Sequence, residues 1–266
     1  MPDTAAVWAA LSGTTVGDAW LHRDEPKSPE LVARYRAAMA QLERGVPFAY
    51  AVGTAGFRTL DLLIDARALI PRPETEALVD LVLAFGPGGL VADVGTGSGC
   101  IALSLAVEGR FDGVIAVERS ADAAALAREN VARVHPRTPV EIREGDLLAP
   151  LAGGRYRVIV ANPPYLTEAE YDALDPSVTC FEPRDALVSG PDGLDATRAL
   201  LAGGAALLEP EGVLTLEIDE RRSDAVRALA QAHGWTRIDV HDDIFGRPRY
   251  LVASPGHGPG ATLEDE

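Results

Sequence analysis

At the junction of the apolar segment Leu90–Val94 with the helix-forming segment Ser98–Val107 stand three glycines, Gly95, Gly97 and Gly99. Few architectures place glycines in this way. Glycine allows a tight turn and a close approach of backbone to ligand. At the carboxyl end of a strand, just before a helix, such a loop marks where open α/β sheets hold nucleotides. The rest of the chain repeats the alternation. Strands are expected at Leu90–Val94, Val114–Glu118, Val140–Arg143, Val158–Ala161, Val213–Ile218, Ile238–His241 and Tyr250–Ala253. Helices are expected at Ser98–Val107, Ala121–Val134, Leu194–Leu208 and Ser223–Ala232. Apolar strands alternating with helices predict a mostly parallel α/β sheet covered on both faces. The last two strands have only a short connection, which predicts an antiparallel hairpin at the sheet edge.

The segments before this sheet are of another kind. Residues 28–44 read as one amphipathic helix, with Ser28 as N-cap, Pro29 in the first helical position and Gly45 as the stop. A short helix is expected around Val7–Leu11. Over 46–70 the period changes, and Phe57, Leu60, Leu62 and Ile64 suggest a strand pair with its turn in Gly53–Gly56. Thr75–Phe85 reads as a helix with acidic residues in its first turn, where the helix dipole favours them. The expected division is a small helical N-terminal domain over 1–45, a hairpin connector over 46–70, the α/β domain over 71–253 and a disordered Gly/Pro-rich tail over 254–266.

Composition removes several function classes. The chain is 47% hydrophobic, enough for a substantial core. With 40 acidic against 24 basic residues it carries a net charge of −16, a poor balance for a nucleic-acid binder, whose affinity comes mainly from phosphate contacts. Two cysteines, Cys100 and Cys180, cannot make a disulfide framework or a four-cysteine zinc site. The five histidines are scattered, and no metal site is expected. The first residues lack the basic and apolar regions of a signal peptide, and no apolar run is long enough to span a bilayer. A soluble cytoplasmic protein with no membrane association is expected.

The loop chemistry narrows the ligand. The run Asp93-Val94-Gly95-Thr96-Gly97-Ser98-Gly99 has the spacing G-x-G-x-G, not the G-x-G-x-x-G of dinucleotide sites. Asp93 would repel a pyrophosphate but can accept a hydrogen bond from an ammonium group. That points to S-adenosylmethionine over NAD or ATP. Glu118 closes the next strand, where an acid chelates ribose hydroxyls. Asp146, in Gly145-Asp146-Leu147-Leu148, is placed to accept from an adenine amine, with Leu147 packing on the ring.

A second signature follows the fourth expected strand: Asn162-Pro163-Pro164-Tyr165. Two prolines cannot continue a central strand, so the chain leaves the sheet there as a rigid loop. The Pro163 carbonyl and the Asn162 side-chain oxygen are two fixed acceptors able to grip a planar NH2 group. Tyr165 can pack on a flat substrate.

These motifs resemble S-adenosylmethionine-dependent methyltransferases acting on planar nitrogen. More narrowly, the chain looks like the HemK/PrmC family of protein-(glutamine-N5) methyltransferases. The narrower resemblance rests on Leu69-Ile70-Pro71-Arg72-Pro73-Glu74-Thr75-Glu76, Phe181-Glu182-Pro183-Arg184-Asp185-Ala186-Leu187 and Asp192-Gly193-Leu194-Asp195. Leu216-Glu217-Ile218 and Gly246-Arg247 match as well. It implies the seven-stranded, Rossmann-like class I methyltransferase sheet, with an N-terminal domain shortened for the family. It implies methyl transfer to the GGQ glutamine of a class I peptide chain release factor, with S-adenosylhomocysteine as product. Asp93, Gly95, Thr96, Gly97, Ser98, Gly99, Glu118, Asp146, Leu147 and Asn162 would hold the cofactor. Asn162, Pro163, Pro164 and Tyr165 would hold the glutamine, and Arg72, Pro73, Glu74 and Thr75 would lie against the active site from the N-terminal side. For Arg72–Glu76, helix capping and domain packing are an equal reading. Other substrates stay open: another protein glutamine, a small molecule, or a base amine, since nucleic-acid methyltransferases share the tetrapeptide. So does a non-catalytic cofactor-binding partner subunit.

Overall fold

The computed structural model describes residues 4–256. Four helices open it: α1 (Thr4–Ser12), α2 (Val16–Leu21), α3 (Pro29–Glu43) and α4 (Phe48–Val52). α3 starts where its signals place it, with the Ser28 hydroxyl accepting from the Leu31 amide at 3.2 Å. α2 is not foreseen, because six residues are too few to display a helical period. Trp8 stacks on Tyr35 with ring centroids 4.1 Å apart, holding α1 to α3. Val7, Leu11, Ala38 and Val52 form the small core of this part.

A hairpin follows, β1 (Thr54–Phe57) and β2 (Leu60–Leu63), paired antiparallel. Its reversal is at Arg58-Thr59, which corrects the expectation of a turn in Gly53–Gly56. Gly53, at φ +82°, ends α4, and the next three residues run on as strand. Arg58 takes φ +53°, costly for a branched-out side chain, and is held there by its partners. Its amide donates to Glu76 Oε1 at 2.7 Å, and its guanidinium grips Glu108 through two bonds of 2.9 and 2.7 Å. These bonds pin the hairpin tip to α5 (Pro73–Leu83) and α6 (Cys100–Glu108).

The main sheet has seven strands: β3 (Leu90–Val94), β4 (Gly113–Glu118), β5 (Val140–Glu144), β6 (Tyr156–Ala161), β7 (Leu208–Glu217), β8 (Trp235–Asp242) and β9 (Pro248–Pro255). Their spatial order is β5-β4-β3-β6-β7-β9-β8. β3 to β7 are parallel, and β9 inserts antiparallel between β7 and β8. α7 (Ala121–Val134) connects β4 to β5. Between β6 and β7 run α8 (Glu168–Asp172), α9 (Pro176–Thr179) and α10 (Asp195–Gly204), and α11 (Ser223–Ala232) leads to β8. Along β6, Val158 and Val160 join one buried cluster with Leu78 and Leu103. Ile159 and Ala161 join the other, with Leu200, Leu214 and Trp235. Both faces are covered, so the strand reads as continuously apolar. Ser254 and Pro255, expected in the tail, extend β9 because they pair with Arg237 and Trp235. The rest of that expected disordered tail, 257–266, lies outside the described residues.

The order reverses between β3 and β6: from β3 the chain first works outward to β4 and β5, then returns to the other side. Loops leaving the carboxyl ends of β3 and β6 therefore diverge and open a crevice. The hairpin is tied to that crevice by Asn130, a fully buried side chain on α7. Its Oδ1 accepts from the Leu63 amide at 2.7 Å, and its Nδ2 donates to the carbonyls of Leu63 at 3.0 Å and Ser98 at 2.9 Å. Asn130→Ala leaves buried backbone groups unpaired and is expected to lower stability by about 2 kcal/mol, read as a shift of the urea midpoint at unchanged slope.

Candidate functional site

The crevice is a cavity of about 820 Å³. The glycine loop forms its floor. Gly95, Gly97 and Gly99 take φ of +76°, +58° and +85°, which side chains rarely tolerate. No atom lies within 4 Å of where a Gly95 Cβ would stand, so that backbone faces open space.

The loop satisfies its own donors. The amides of Gly95 and Thr96 both donate to the Val117 carbonyl, at 2.9 and 3.0 Å, and Gly99 donates to the Thr96 carbonyl at 2.9 Å. Gly97 donates to Glu118 Oε2 at 2.9 Å, and Ser120 donates to Glu118 Oε1 at 2.9 Å. A pyrophosphate would need these amides, and they are taken. Four arginines line the cavity, and each is engaged by a carboxylate: Arg67 by Asp65 and Glu129, Arg72 by Glu182, Arg119 by Asp185 and Arg184 by Glu168. The lining arginines are thus already paired, and the amides of Gly95, Thr96, Gly97 and Gly99 are engaged. What the wall offers are acceptors: Glu118, whose oxygens each retain a lone pair, and Asp146. A nucleoside without phosphates, carrying hydroxyls, an amine and positive charge, suits this set.

Of the residues singled out in the sequence, Arg72, Gly95, Thr96, Gly97, Ser98, Glu118, Asp146, Leu147, Asn162 and Pro164 line the cavity. Asp93, Gly99, Pro163, Tyr165 and Glu74 are not on its wall. Asp93 is fully buried beneath the loop, not facing a ligand. Its Oδ2 accepts from the Thr96 hydroxyl at 2.6 Å and the Ala102 amide at 3.1 Å, so it organises the loop from below. Burial raises its carboxyl to about 7 despite these bonds. Tyr165 lies behind its loop, toward Glu217 and Arg249, and burial raises its phenol to about 12. Glu74 sits in the first turn of α5, where its carbonyl accepts from the Tyr250 hydroxyl at 2.6 Å.

Asn162 stands where β6 ends and the prolines begin. Its Nδ2 donates to the Thr75 hydroxyl at 3.1 Å. Its Oδ1 makes no hydrogen bond within the described residues, and the residue is on the cavity wall.

This site and sheet have relatives. A Methyltransferase small domain model matches residues 74–176. The release factor glutamine methyltransferase of Xylella fastidiosa is 40% identical over 251 residues, 91% of this chain and 88% of that protein. The release factor glutamine methyltransferase of Cereibacter sphaeroides is 40% identical over 88% of this chain and 83% of its own length. The chain belongs to the release factor glutamine methyltransferase family. A 16S rRNA N2 G1207 methyltransferase of T. thermophilus, solved in complex with AdoMet and guanosine, shares the fold, with a TM-score of 0.56 at 18% identity over 76% of this chain and 49% of that one.

The family motifs outside the two main loops acquire positions in the structure. Ile70 and Arg72 both reach Glu182, through the Ile70 amide at 3.1 Å and the Arg72 guanidinium at 2.6 Å. Two motifs far apart in sequence therefore meet as one wall of the cavity, joined by a carboxylate that is itself buried. The same wall carries Ala68, Leu69, Ile70 and Pro71, and the far side carries Val188, Ser189 and Asp195. Reading the sequence did not single these out as lining residues. For Leu69, Ile70, Pro71 and Asp195 the available signal was membership in matched motifs, which says nothing of direction; Ala68, Val188 and Ser189 carried none.

Proposed function

We propose that this chain transfers a methyl group from S-adenosylmethionine to the side-chain amide nitrogen (N5) of a protein glutamine, that of the GGQ motif in class I peptide chain release factors. The observation that carries the reading is Asn162: an amide whose nitrogen is tied inward and whose oxygen is left toward the cavity, at the carboxyl end of the strand beside the glycine loop. The cofactor supplies an electrophilic methyl on a cationic sulfur. Glu118 would accept from the ribose hydroxyls, Asp146 from the adenine amine, and Leu147 would pack on the ring. Arg72 borders the substrate end.

On the glutamine side, Asn162 Oδ1 and the Pro163 carbonyl accept the two amide hydrogens. An amide lone pair is delocalised into its carbonyl. Two fixed acceptors in one plane orient the nitrogen and favour its pyramidal form as the new bond grows. No strong base is needed, because the surplus proton leaves to water after the nitrogen–carbon bond forms and the sulfur–carbon bond breaks. Positioning and fixed dipoles supply the acceleration. The reaction belongs to the cytoplasm, and among the described residues no helix is long and apolar enough to cross a membrane.

The test is labelled methyl transfer from S-adenosylmethionine to an unmodified class I release factor, with the site mapped by mass spectrometry. A methyl on the GGQ glutamine is the expected product; transfer to bare RNA or DNA instead would replace the substrate assignment. Glu118→Ala is expected to weaken cofactor binding about 10- to 100-fold in a calorimetric titration, since it removes a charged acceptor from two hydroxyls. Unchanged affinity would remove Glu118 from the cofactor site.

A further inference from the structure

The Thr75 hydroxyl stands between two groups. It accepts from Asn162 Nδ2 at 3.1 Å and donates to Glu217 Oε2 at 2.7 Å. We infer that Thr75 and Glu217 are positioning residues that fix which way round the Asn162 amide sits, keeping its nitrogen inward and its oxygen toward the substrate. The inference rests on the role proposed for Asn162 above.

The two ends of an asparagine amide have nearly the same shape, so packing alone does not choose between them. The choice lies in the direction of hydrogen bonds. A threonine hydroxyl has one proton to give. The Glu217 carboxylate has none, so it takes that proton, and Thr75 can then only accept from a third group. The amide nitrogen of Asn162 can donate; the amide oxygen cannot. Turning the amide over would press two acceptor oxygens together with no proton between them and would present an NH2 group to the substrate's own NH2. A buried carboxylate two contacts from the cavity therefore sets the polarity of the group that meets the substrate.

The fold builds this chain of contacts from three separate segments. Ala161 pairs with Leu216 across β6 and β7, so the next residues, Asn162 and Glu217, leave neighbouring strand ends side by side. Thr75, in the first turn of α5, is delivered between them. Thr75 and Glu217 are each 2% exposed, so water does not compete for these bonds. Burial raises the Glu217 carboxyl to about 7. The Thr75 bond and the charges of Arg249 and Arg72 pull it down, while Glu74 pushes it up. As a carboxylate, the form favoured as pH rises above that value, it acts only as an acceptor.

The experiment compares Thr75→Val and Thr75→Ser at pH 8 on a release factor substrate, with Asn162→Ala alongside. Valine keeps the shape of threonine and removes the hydroxyl. Thr75→Val is expected to lower kcat about 10- to 30-fold with the KM for S-adenosylmethionine within about twofold, the cost of releasing one buried polar contact. Thr75→Ser, which keeps the hydroxyl, should return kcat to within about threefold of wild type. Should Thr75→Val fail to fold by circular dichroism, Glu217→Gln carries the test. A neutral glutamine can either accept from or donate to Thr75, so it no longer dictates the amide's direction, and a kcat loss of about 3- to 10-fold at unchanged cofactor KM is expected. If Thr75→Val keeps wild-type kcat while Asn162→Ala is inactive, the positioning inference falls and the proposed function stands. Equal losses in the valine and serine variants would reduce Thr75 to packing and also overturn it. Full activity in Asn162→Ala would overturn the proposed function itself, and this inference with it.

Discussion

Asn162→Ala is expected to lower kcat for methyl transfer by roughly 10²- to 10³-fold while cofactor affinity stays within about threefold. The asymmetry follows from where the side chain points. In the proposed arrangement its oxygen, on the cavity wall, is one of two acceptors offered to the substrate amide, and its nitrogen is occupied by Thr75. In the same arrangement cofactor contacts fall chiefly to the loop after β3 and to Glu118, which alanine at position 162 does not touch. The loss is worth about 3–4 kcal/mol of transition-state stabilisation, because an acceptor aimed at a nitrogen that gains positive character is worth more as the bond forms. Single-turnover rates at saturating cofactor, with a parallel binding titration, separate the two effects. An equal fall in affinity and rate would move Asn162 from the substrate to the cofactor. Asn162→Asp is the informative companion. It keeps an oxygen toward the cavity but sets a second oxygen against Thr75, whose single proton is already given to Glu217.

The parts of this site legible in the sequence are those encoded by adjacent residues. The glycine run, the acid closing β4 and Asn162–Tyr165 announce themselves because each feature is a few residues long and falls where a strand must end. The sheet was legible for the same reason: Val158–Ala161 and Val114–Glu118 are short apolar runs bounded by turn residues. What escaped was direction and long-range pairing. Asp93 looked like a ligand because it adjoins the glycines, but its strand position points it under the loop, onto the Thr96 hydroxyl and the Ala102 amide. Tyr165 suggested a substrate platform, and the structure leaves it off the cavity wall, with burial raising its phenol. The contacts joining Thr75 to Asn162 and Glu217, and those joining Ile70 and Arg72 to Glu182, are made by residues 87 to 142 positions apart. Only the register of β6 on β7 and the docking of α5 bring them together, and no local period records that.

The matched run Asp192–Asp195 leads to the second large effect. Gly193→Ala is expected to destabilise the protein by about 3 kcal/mol, in two parts. Gly193 takes φ +74°, where an L side chain costs about 1 kcal/mol. A Cβ there would also stand 2.4 Å from the Tyr165 carbonyl oxygen and 3.0 Å from Arg222 Nε. Arg222 could yield by rotating, at the expense of its 2.8 Å bond to the Asp192 carbonyl. The Tyr165 carbonyl cannot, since it belongs to backbone that follows two prolines. The clash therefore adds about 2 kcal/mol and pushes on the same loop that carries Asn162. Gly153→Ala isolates the first part: Gly153 has φ +80° and nothing within 4 Å of its would-be Cβ, so about 1 kcal/mol is expected there. In thermal melts the two variants should fall by roughly 6–12 °C and 2–4 °C respectively. Well below its melting point, Gly193→Ala should also lose methyl transfer, whereas Gly153→Ala should not. Equal melting shifts would mean that the loop after β6 gives way to a methyl group, and that the close approach of Gly193 does not hold Asn162–Tyr165 in place.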